Sequence, residues 1–529
     1  MSFCRTFRNF PSVAVLAGFL LYANGAVAQE PDDGPQSFES FESRLSTLTA
    51  RMQELEDQNL ALQDELTELR NSNAGRASLV SDEPQDAESQ DQPQSYDDAL
   101  KLSRETNQRL DQLVAELEAE ATKDAEAAQK KKAEDAKREK KWYDKYTIRG
   151  YAQFRLNQVF DNESPARPQH VGDSSVGDDQ SFLIRRARLI LSGDVSEHVS
   201  LYFQPDFASN VPGSSDSNQF AQIRDLYADV FLDDQKELRF RVGQSKIPYG
   251  WENLQSSSNR LPLDRNDGLN TAARNERDLG IFLYWTPKEV QDILKYVMDD
   301  GLKGSGNYGM FGVGVYNGQG GSFREQNDNM HAIARFTYPF WLNDCQLMEV
   351  SMQGYTGQYT VLSSPISPLG VGPAVRPQGT LETNGQEGIL DERLAWTLIY
   401  YPQPLGFQAE WNIGRGPALN DAQTRVTDSS ITGGYAMMMY RQKLDKGELW
   451  PFARWNYYNG GYKTERNAPM SQIQEWDIGT EWQFSKSLEL VAMYSITDRT
   501  NTTAQSAANT LSYEQFEGSM LRFQVQVNY

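Results

Sequence analysis

The sequence predicts an all-β transmembrane antiparallel barrel of about sixteen strands, preceded by an α-helical coiled coil. Three observations lead there. The stretch Leu521-Arg522-Phe523-Gln524-Val525-Gln526-Val527-Asn528-Tyr529 is apolar or aromatic at odd positions and polar at even ones, a strand with a different solvent on each face. It ends on an aromatic at the tip of its apolar face, where a ring suits a bilayer interface. The same alternation recurs from Tyr146 onward, and long polar connections take turns with short ones. The edge strand of a soluble sandwich would show the alternation, but a sandwich has no reason to segregate its loops by length.

Composition agrees. Mean hydropathy is −0.65, which excludes a bundle of membrane helices. A lipid-facing barrel escapes hydropathy because only alternate residues are apolar. The 25 Tyr, 10 Trp, 24 Phe and 39 Gly suit interfacial girdles and bends. A net charge of −22 argues against nucleic acid as a partner. With Cys4 read as part of a leader, Cys345 is expected to be left over and to pack as a small apolar residue, and no disulfide framework is expected.

The elements follow in order. Arg5 and Arg8, the short apolar run 13–21 and Ala26-Val27-Ala28 before Gln29 read as an export leader, 1–28. Phe38, Phe41, Leu45, Leu48, Met52, Leu55, Asn59, Leu62, Leu66 and Leu69 recur at spacings of three and four, a heptad seam that predicts a coiled coil over 36–70. Asn59 falls in its core, where an amide fixes register and strand number. Residues 71–95, rich in Ser, Asp, Gln and Pro, read as a disordered linker. A charged helix forms a stalk over 96–143. Its basic end, Lys130 to Lys141, precedes Trp142, Tyr143 and Tyr146, as for an arrival at a headgroup layer.

The barrel domain is 144–529. Ile148, Gly150, Ala152, Phe154 and Leu156 share one face of the first strand, and Arg149, Tyr151, Gln153, Arg155 and Asn157 the other. Strands two to five show the same contrast, for example Ala187, Leu189 and Leu191 against Arg186 and Arg188, and Leu238, Phe240 and Val242 against Arg239 and Arg241. Later strands begin near Leu279, Met310, Met330, Cys345, Leu394, Phe407, Ile431, Pro451, Ile473, Glu489 and Gln515. Long connections are expected at 161–180, 209–219, 247–277, 358–390 and 415–429, with short turns between them. Both ends of the barrel domain fall on the short-turn side, so the coiled coil is expected to be periplasmic. The connection 286–308 is long yet lies on that side, and Val290, Ile293, Leu294 and Val297 predict a short helix in it.

Particular words in this region carry a resemblance. They are Arg185-Arg186-Ala187-Arg188-Leu189, Arg241-Val242-Gly243-Gln244-Ser245-Lys246-Ile247-Pro248-Tyr249-Gly250-Trp251-Glu252, Glu276-Arg277-Asp278-Leu279-Gly280, Val315-Tyr316-Asn317-Gly318, Pro451-Phe452-Ala453-Arg454 and Leu521-Arg522-Phe523-Gln524. Together and in this order they resemble the phosphate-selective porin O and P family, from about Tyr146 to Tyr529. The resemblance implies a homotrimeric, sixteen-stranded channel of a Gram-negative-type outer membrane. It also implies that the loop after Pro248-Tyr249-Gly250 folds inward, and that arginine and lysine in the lumen bind small anions such as phosphate. The coiled coil lies outside the shared region and would reach toward the cell wall.

By strand alternation, Arg149, Arg155, Arg186, Arg188, Arg239, Arg241, Arg335 and Arg522 are pore-lining, anion-binding candidates, joined by Lys246, Arg260 and Arg265 in or beside the inward loop. The alternative for many of them is pairing with Asp194, Asp206, Asp225 or Asp229 to stiffen the wall. Glu349, Glu410, Glu475, Asp477 and Glu489 also have inward parity, and 144–529 holds more Asp and Glu than Lys and Arg, so a general, weakly selective diffusion pore competes with an anion channel. A structural envelope tether anchored by the barrel is a third reading. An enzyme is not expected, nor a cofactor or metal: His170, His198 and His331 are scattered and form no ligand cluster. The expected partners are outer-membrane lipid, small anions or other small solutes, and two further copies of the chain.

Three barrels side by side bring three heptad seams to one axis. The isolated segment 36–70 is therefore expected to be helical and trimeric by analytical ultracentrifugation, and Asn59→Leu to raise its melting temperature while loosening register or strand number. A monomer at high concentration refutes the coil; a stable dimer severs its link to a trimer.

Overall fold

The computed structural model describes residues 142–160, 181–209, 220–321, 323–343, 345–505 and 510–529, with 108 and 176 besides. The expected leader, coiled coil and linker, and the stalk helix up to its last residues, lie outside the described residues. Trp142–Lys145 form a 3-10 turn that leads directly into the first strand.

The strands are β1 (Tyr146–Phe160), β2 (Ser181–Ser196), β3 (Val199–Ser209), β4 (Phe220–Phe231), β5 (Leu238–Lys246), β6 (Arg277–Trp285), β7 (Phe311–Tyr316), β8 (His331–Asn343), β9 (Gln346–Tyr359), β10 (Ile389–Tyr400), β11 (Leu405–Leu419), β12 (Val426–Tyr440, continued by Gln442–Lys443), β13 (Glu448–Gly461), β14 (Met470–Ser485), β15 (Leu488–Gln505) and β16 (Thr510–Asn528). Each pairs antiparallel with its chain neighbours, and β1 pairs with both β2 and β16. The result is one closed sheet of sixteen strands, the even number that up-and-down connectivity requires.

Closure runs from Tyr151 opposite Asn528 to Phe160 opposite Ser519. Gly150 and Tyr529 extend it by exchanging backbone hydrogen bonds at 2.6 and 3.0 Å. A side chain at Gly150 has no room: its Cβ would fall 2.5 Å from the Tyr529 ring and 2.4 Å from the Arg188 carbonyl. The terminal aromatic therefore lies against a site that only glycine can occupy.

The two faces are inverted relative to a soluble protein. Outward positions carry exposed apolar residues, among them Ile148, Phe154, Phe240, Ile281, Met352, Trp396, Trp476 and Phe523. Inward positions are buried and polar: Gln153, Arg155, Asn157, Arg188, Arg241, Gln353, Glu410, Asn456 and Asp477. Alternation read from sequence thus assigns the faces correctly. Trp411, Trp455 and Tyr457 stack on one another on the outer face, with ring centroids 5.8–6.2 Å apart.

Two details differ from the sequence reading. The connection expected at 415–429 is only six residues long, because β11 and β12 stay paired out to Leu419 and Val426. Polar side chains there sit on strands rather than in a loop. Cys345 is exposed in the tight β8–β9 turn instead of packing in a core.

Among the described residues, the connections after β5 and β6 enter the barrel. From the long-loop end, 247–276 folds inward with two single-turn helices, α1 (Trp251–Leu254) and α2 (Asp267–Asn270). Ile247, Tyr249, Leu261, Leu263 and Leu269 bury against inward aromatic residues such as Phe282, Tyr355 and Tyr435. From the short-turn end, the β6–β7 connection forms α3 (Lys288–Asp299), the helix expected there, with Val290, Leu294 and Val297 buried.

An outer face in lipid makes one substitution diagnostic. Phe523 lies near the middle of the apolar run on β16, so Phe523→Arg is expected to cost about 2–4 kcal/mol in equilibrium unfolding from lipid vesicles. The inward neighbour change Gln524→Ala should cost much less; equal costs would refute the facing.

Candidate pore constriction

The inward loop is a bar fastened around much of the barrel wall. Glu410 on β11 accepts the backbone N–H groups of Trp251 and Glu252 at 2.5 and 2.7 Å. Asn266 caps α2 and also donates to the Gly434 carbonyl on β12 at 2.8 Å. Arg393 on β10 donates to Gly268 and Thr271, and Tyr355 on β9 to the Ala272 carbonyl. On the opposite wall, Ser257 meets Tyr151 of β1 at 2.7 Å and Arg188 of β2 at 3.0 Å.

Charge locks the bar in place. Asp264 lies between Arg522 of β16, at 2.5 Å, and Arg155 of β1, at 3.4 Å. Glu252 and Asp477 share Arg454 of β13, at 2.7 and 2.8 Å. Asp267 and Glu475 share Arg499 of β15, at 2.7 and 2.8 Å. In each of the latter two sets a wall arginine sits between a wall carboxylate and a loop carboxylate. Out of water such charges are tolerated only when paired and hydrogen-bonded. At the loop's end Glu276 receives Arg265, Arg277 and Arg224 at 2.7, 2.8 and 3.2 Å. Burial alone would raise the Glu276 carboxyl, but these cations outweigh it and hold it well below the usual carboxylate range.

The eleven candidate cations differ in what they meet. Arg155, Arg188, Arg241, Arg265 and Arg522 face the lumen or loop and are matched by carboxylates; Arg188 pairs with Asp206 and Arg241 with Asp229, both at 2.8 Å. Arg239 lies 3.6 Å from Asp229 and donates to the Asn307 carbonyl, and Arg335 bonds Gln353 with Glu349 at 3.9 Å. Arg149 keeps inward parity but is exposed at the beginning of β1, away from the constriction. Lys246 pegs the end of α1 by donating to the Leu254 and Gln255 carbonyls at 2.8 and 2.9 Å.

Arg186 and Arg260 remain. Arg186 is buried, donates once, to the neutral Gln153 amide oxygen at 2.7 Å, and its Nε has no partner. The strongest electrostatic influences on it come from Arg185, Arg188, Arg155 and Arg260. Arg260 bonds only the Pro262 and Leu263 carbonyls, and its Nη1 is unpartnered. Burial first, and Arg265 second, disfavour its charged form. Neither arginine has an ion pair with a carboxylate among the described residues. Glu349 on β9 and Glu410 on β11 lie across the ring from Arg186 on β2, whereas Glu475, Asp477 and Glu489 lie on β14 and β15, only four and three strands from it.

Sequence reading passed over Arg454, Arg499, Arg393 and Arg277, all of which are buried and engaged by the loop or its flanks. Their signal was the same period-two parity used for the early strands. Lys303, in the connection after α3, carried no such signal because parity exists only on strands.

The family described as phosphate-selective porin O and P matches residues 168–529. No curated protein sequence matches the chain. Among solved structures, OmpT of Vibrio cholerae, described as a trimer form, is 11% identical, covers 73% of this chain and 99% of its own, and has a TM-score of 0.42. The outer membrane channel DcaP of Acinetobacter baumannii is 12% identical, with 73% and 97% covered and a TM-score of 0.42. An anion-selective porin from Comamonas acidovorans is 12% identical, with 73% and 99% covered and a TM-score of 0.36.

Asp264 neutralises two wall arginines at once, so its removal should have two readouts. Asp264→Ala is expected to lower unfolding stability by about 3–5 kcal/mol, the cost of breaking a buried pair from one side. It should also raise anion over cation permeability in the reversal potential, because Arg155 and Arg522 lose their shared counter-charge. A stability loss without a permeability change would make Asp264 a strut remote from the ion path.

Proposed function

This chain belongs to the phosphate-selective porin O and P family and is an outer-membrane porin, and from that premise we propose that its channel favours small anions at Arg186 and Arg260. The observation that carries this reading is the uncompensated pair itself. Both guanidiniums are buried and each has an unpartnered nitrogen; Arg186 lies among other arginines, while Arg260 feels Arg265 and, without pairing to them, Glu252, Asp264 and Glu276. A passing anion supplies the missing counter-charge and acceptor oxygens, and its hydration shell is replaced by charge-assisted hydrogen bonds. Phosphate, with several acceptor oxygens, suits such a pair, as would other small oxyanions.

The inward carboxylates Glu349 on β9 and Glu410 on β11 favour a second reading, a general pore of weak selectivity. An arginine-rich wall opposite an acidic one sets a field across the lumen, which orients dipolar solutes without strongly excluding either ion. Three such barrels, with their heptad segments joined beneath them as a periplasmic stalk toward the cell wall, complete the proposed assembly.

The two readings separate in planar bilayers. The reversal potential in a potassium chloride gradient should favour chloride, and added phosphate should reduce chloride current by occupying the arginine pair. Arg186→Ala with Arg260→Ala should lower the anion-to-cation permeability ratio by about twofold or more, since fixed charge in a narrow passage is poorly screened. Arg188→Ala removes one positive charge and leaves Asp206 unpaired, so it should shift the ratio in the same direction, by less than the double substitution. A permeability ratio that does not respond to the double substitution leaves the general pore as the reading.

A further inference from the structure

The β6–β7 connection begins at the short-turn end of the barrel but does not remain there. Val297 of α3 packs with Leu302, Trp251, Leu347, Ile399 and Tyr401, which seats the helix against the inner wall beneath the loop. Past α3 the chain turns inward through Gly301, Lys303, Gly304, Gly306 and Gly309. The glycines at 301, 306 and 309 take positive φ, and so does Lys303, at 62°. For a lysine that conformation costs of order 1 kcal/mol or more and persists only when its surroundings hold it.

Lys303 is held by an ion pair. Its ammonium meets the Glu481 carboxylate, and both side chains are 2% exposed. Glu481 lies on β14, eight strands from β6 in a ring of sixteen, so the contact reaches the opposite wall. The backbone of the same segment meets the loop that enters from the other end. The Lys303 carbonyl accepts from Gln255 at 2.5 Å, and the Gly304 carbonyl accepts from Asn259 at 2.9 Å. Asn307 accepts from Arg239 on β5 at 2.6 Å. Outside the lumen, Asp300 is fastened to Arg441 at 2.8 Å.

Residues 304–308 also form one side of a polar chamber of about 220 Å³, whose other side includes Tyr202, Tyr227, Arg241 and Arg277. That volume is below the roughly 300–1,000 Å³ of sites that hold drug-sized ligands. It matches an ion or a small metabolite.

We propose that 300–309 is a second constriction, a strap spanning the lumen from the short-turn end and latched to the far wall by Lys303 and Glu481. Solutes then meet two narrow levels, the loop 247–276 and the strap, and the latch residues set the conductance of the second. Removing either partner breaks a buried ion pair from one side and leaves a positive-φ residue without its latch. The glycine-rich segment then leaves the lumen, and the passage widens.

The test uses the full-length protein in planar bilayers, with heat-modifiable migration on gels as the check of folding. Lys303→Ala and Glu481→Gln should each raise single-channel conductance, by about twofold, as a wider pore admits more ion flux. The charge reversal Lys303→Glu with Glu481→Lys should bring it back toward the wild-type value, which a merely structural role for either residue would not produce. Wild-type conductance in folded Lys303→Ala and Glu481→Gln overturns the proposal. Should Lys303→Ala not fold, Glu481→Gln, which keeps shape and volume, decides by the same criterion. The wild-type conductance tests the channel itself, and the ratio of variant to wild type tests the strap alone.

Discussion

In hydrocarbon every backbone donor and acceptor must find a partner within the protein, and this chain meets that demand by pairing its last strand with its first. The rest follows from that closure. A sheet without edges can carry apolar residues outward and polar ones inward along every strand, and period-two alternation then dictates what the lumen contains. Sixteen strands enclose more space than side chains alone fill, and two connections occupy it.

Those connections bring their own counter-ions. Asp264, Glu252 and Asp267 meet Arg155 with Arg522, Arg454 and Arg499, so most of the arginine that lines the wall is spent on holding the loop. A count of lumen arginines therefore overstates the positive potential that a solute encounters. What matters is the residue of that matching, which on the positive side is left at Arg186 and Arg260. The barrel's net acidity and a local preference for anions are compatible for this reason.

Strand number, facing and most of the lumen cations were legible in the sequence, because alternation is a local signal and a closed sheet leaves it undisturbed. Arg155, Arg186, Arg188, Arg239, Arg241, Arg335 and Arg522 all point inward as their parity requires. Pairing was not legible. Asp264 and Arg522 are 258 residues apart, and nothing local announces that one loop carboxylate will serve two strands. Arg415, Thr427, Asp428 and Ser429 suggested a long loop where β11 and β12 continue as paired strands, since a strand beyond the apolar band tolerates polar residues on its outer face. Glycines 301, 304, 306 and 309 gave the strap a sequence signature of bends but no hint of direction, and the inward course became visible only through Lys303 and Glu481.

Asp264 touches β1 and β16, the two strands whose meeting closes the ring, while its own loop is attached between β5 and β6. Insertion of the loop and sealing of the barrel are thereby parts of one cooperative event. A chain that sealed first would have to thread the loop into a finished cylinder, and one that seated the loop first would present β1 and β16 with a shared acceptor for their arginines. The constriction and the seam thus share one set of charges, and a change at Asp264 acts on both the narrowest part of the channel and the closure of the cylinder.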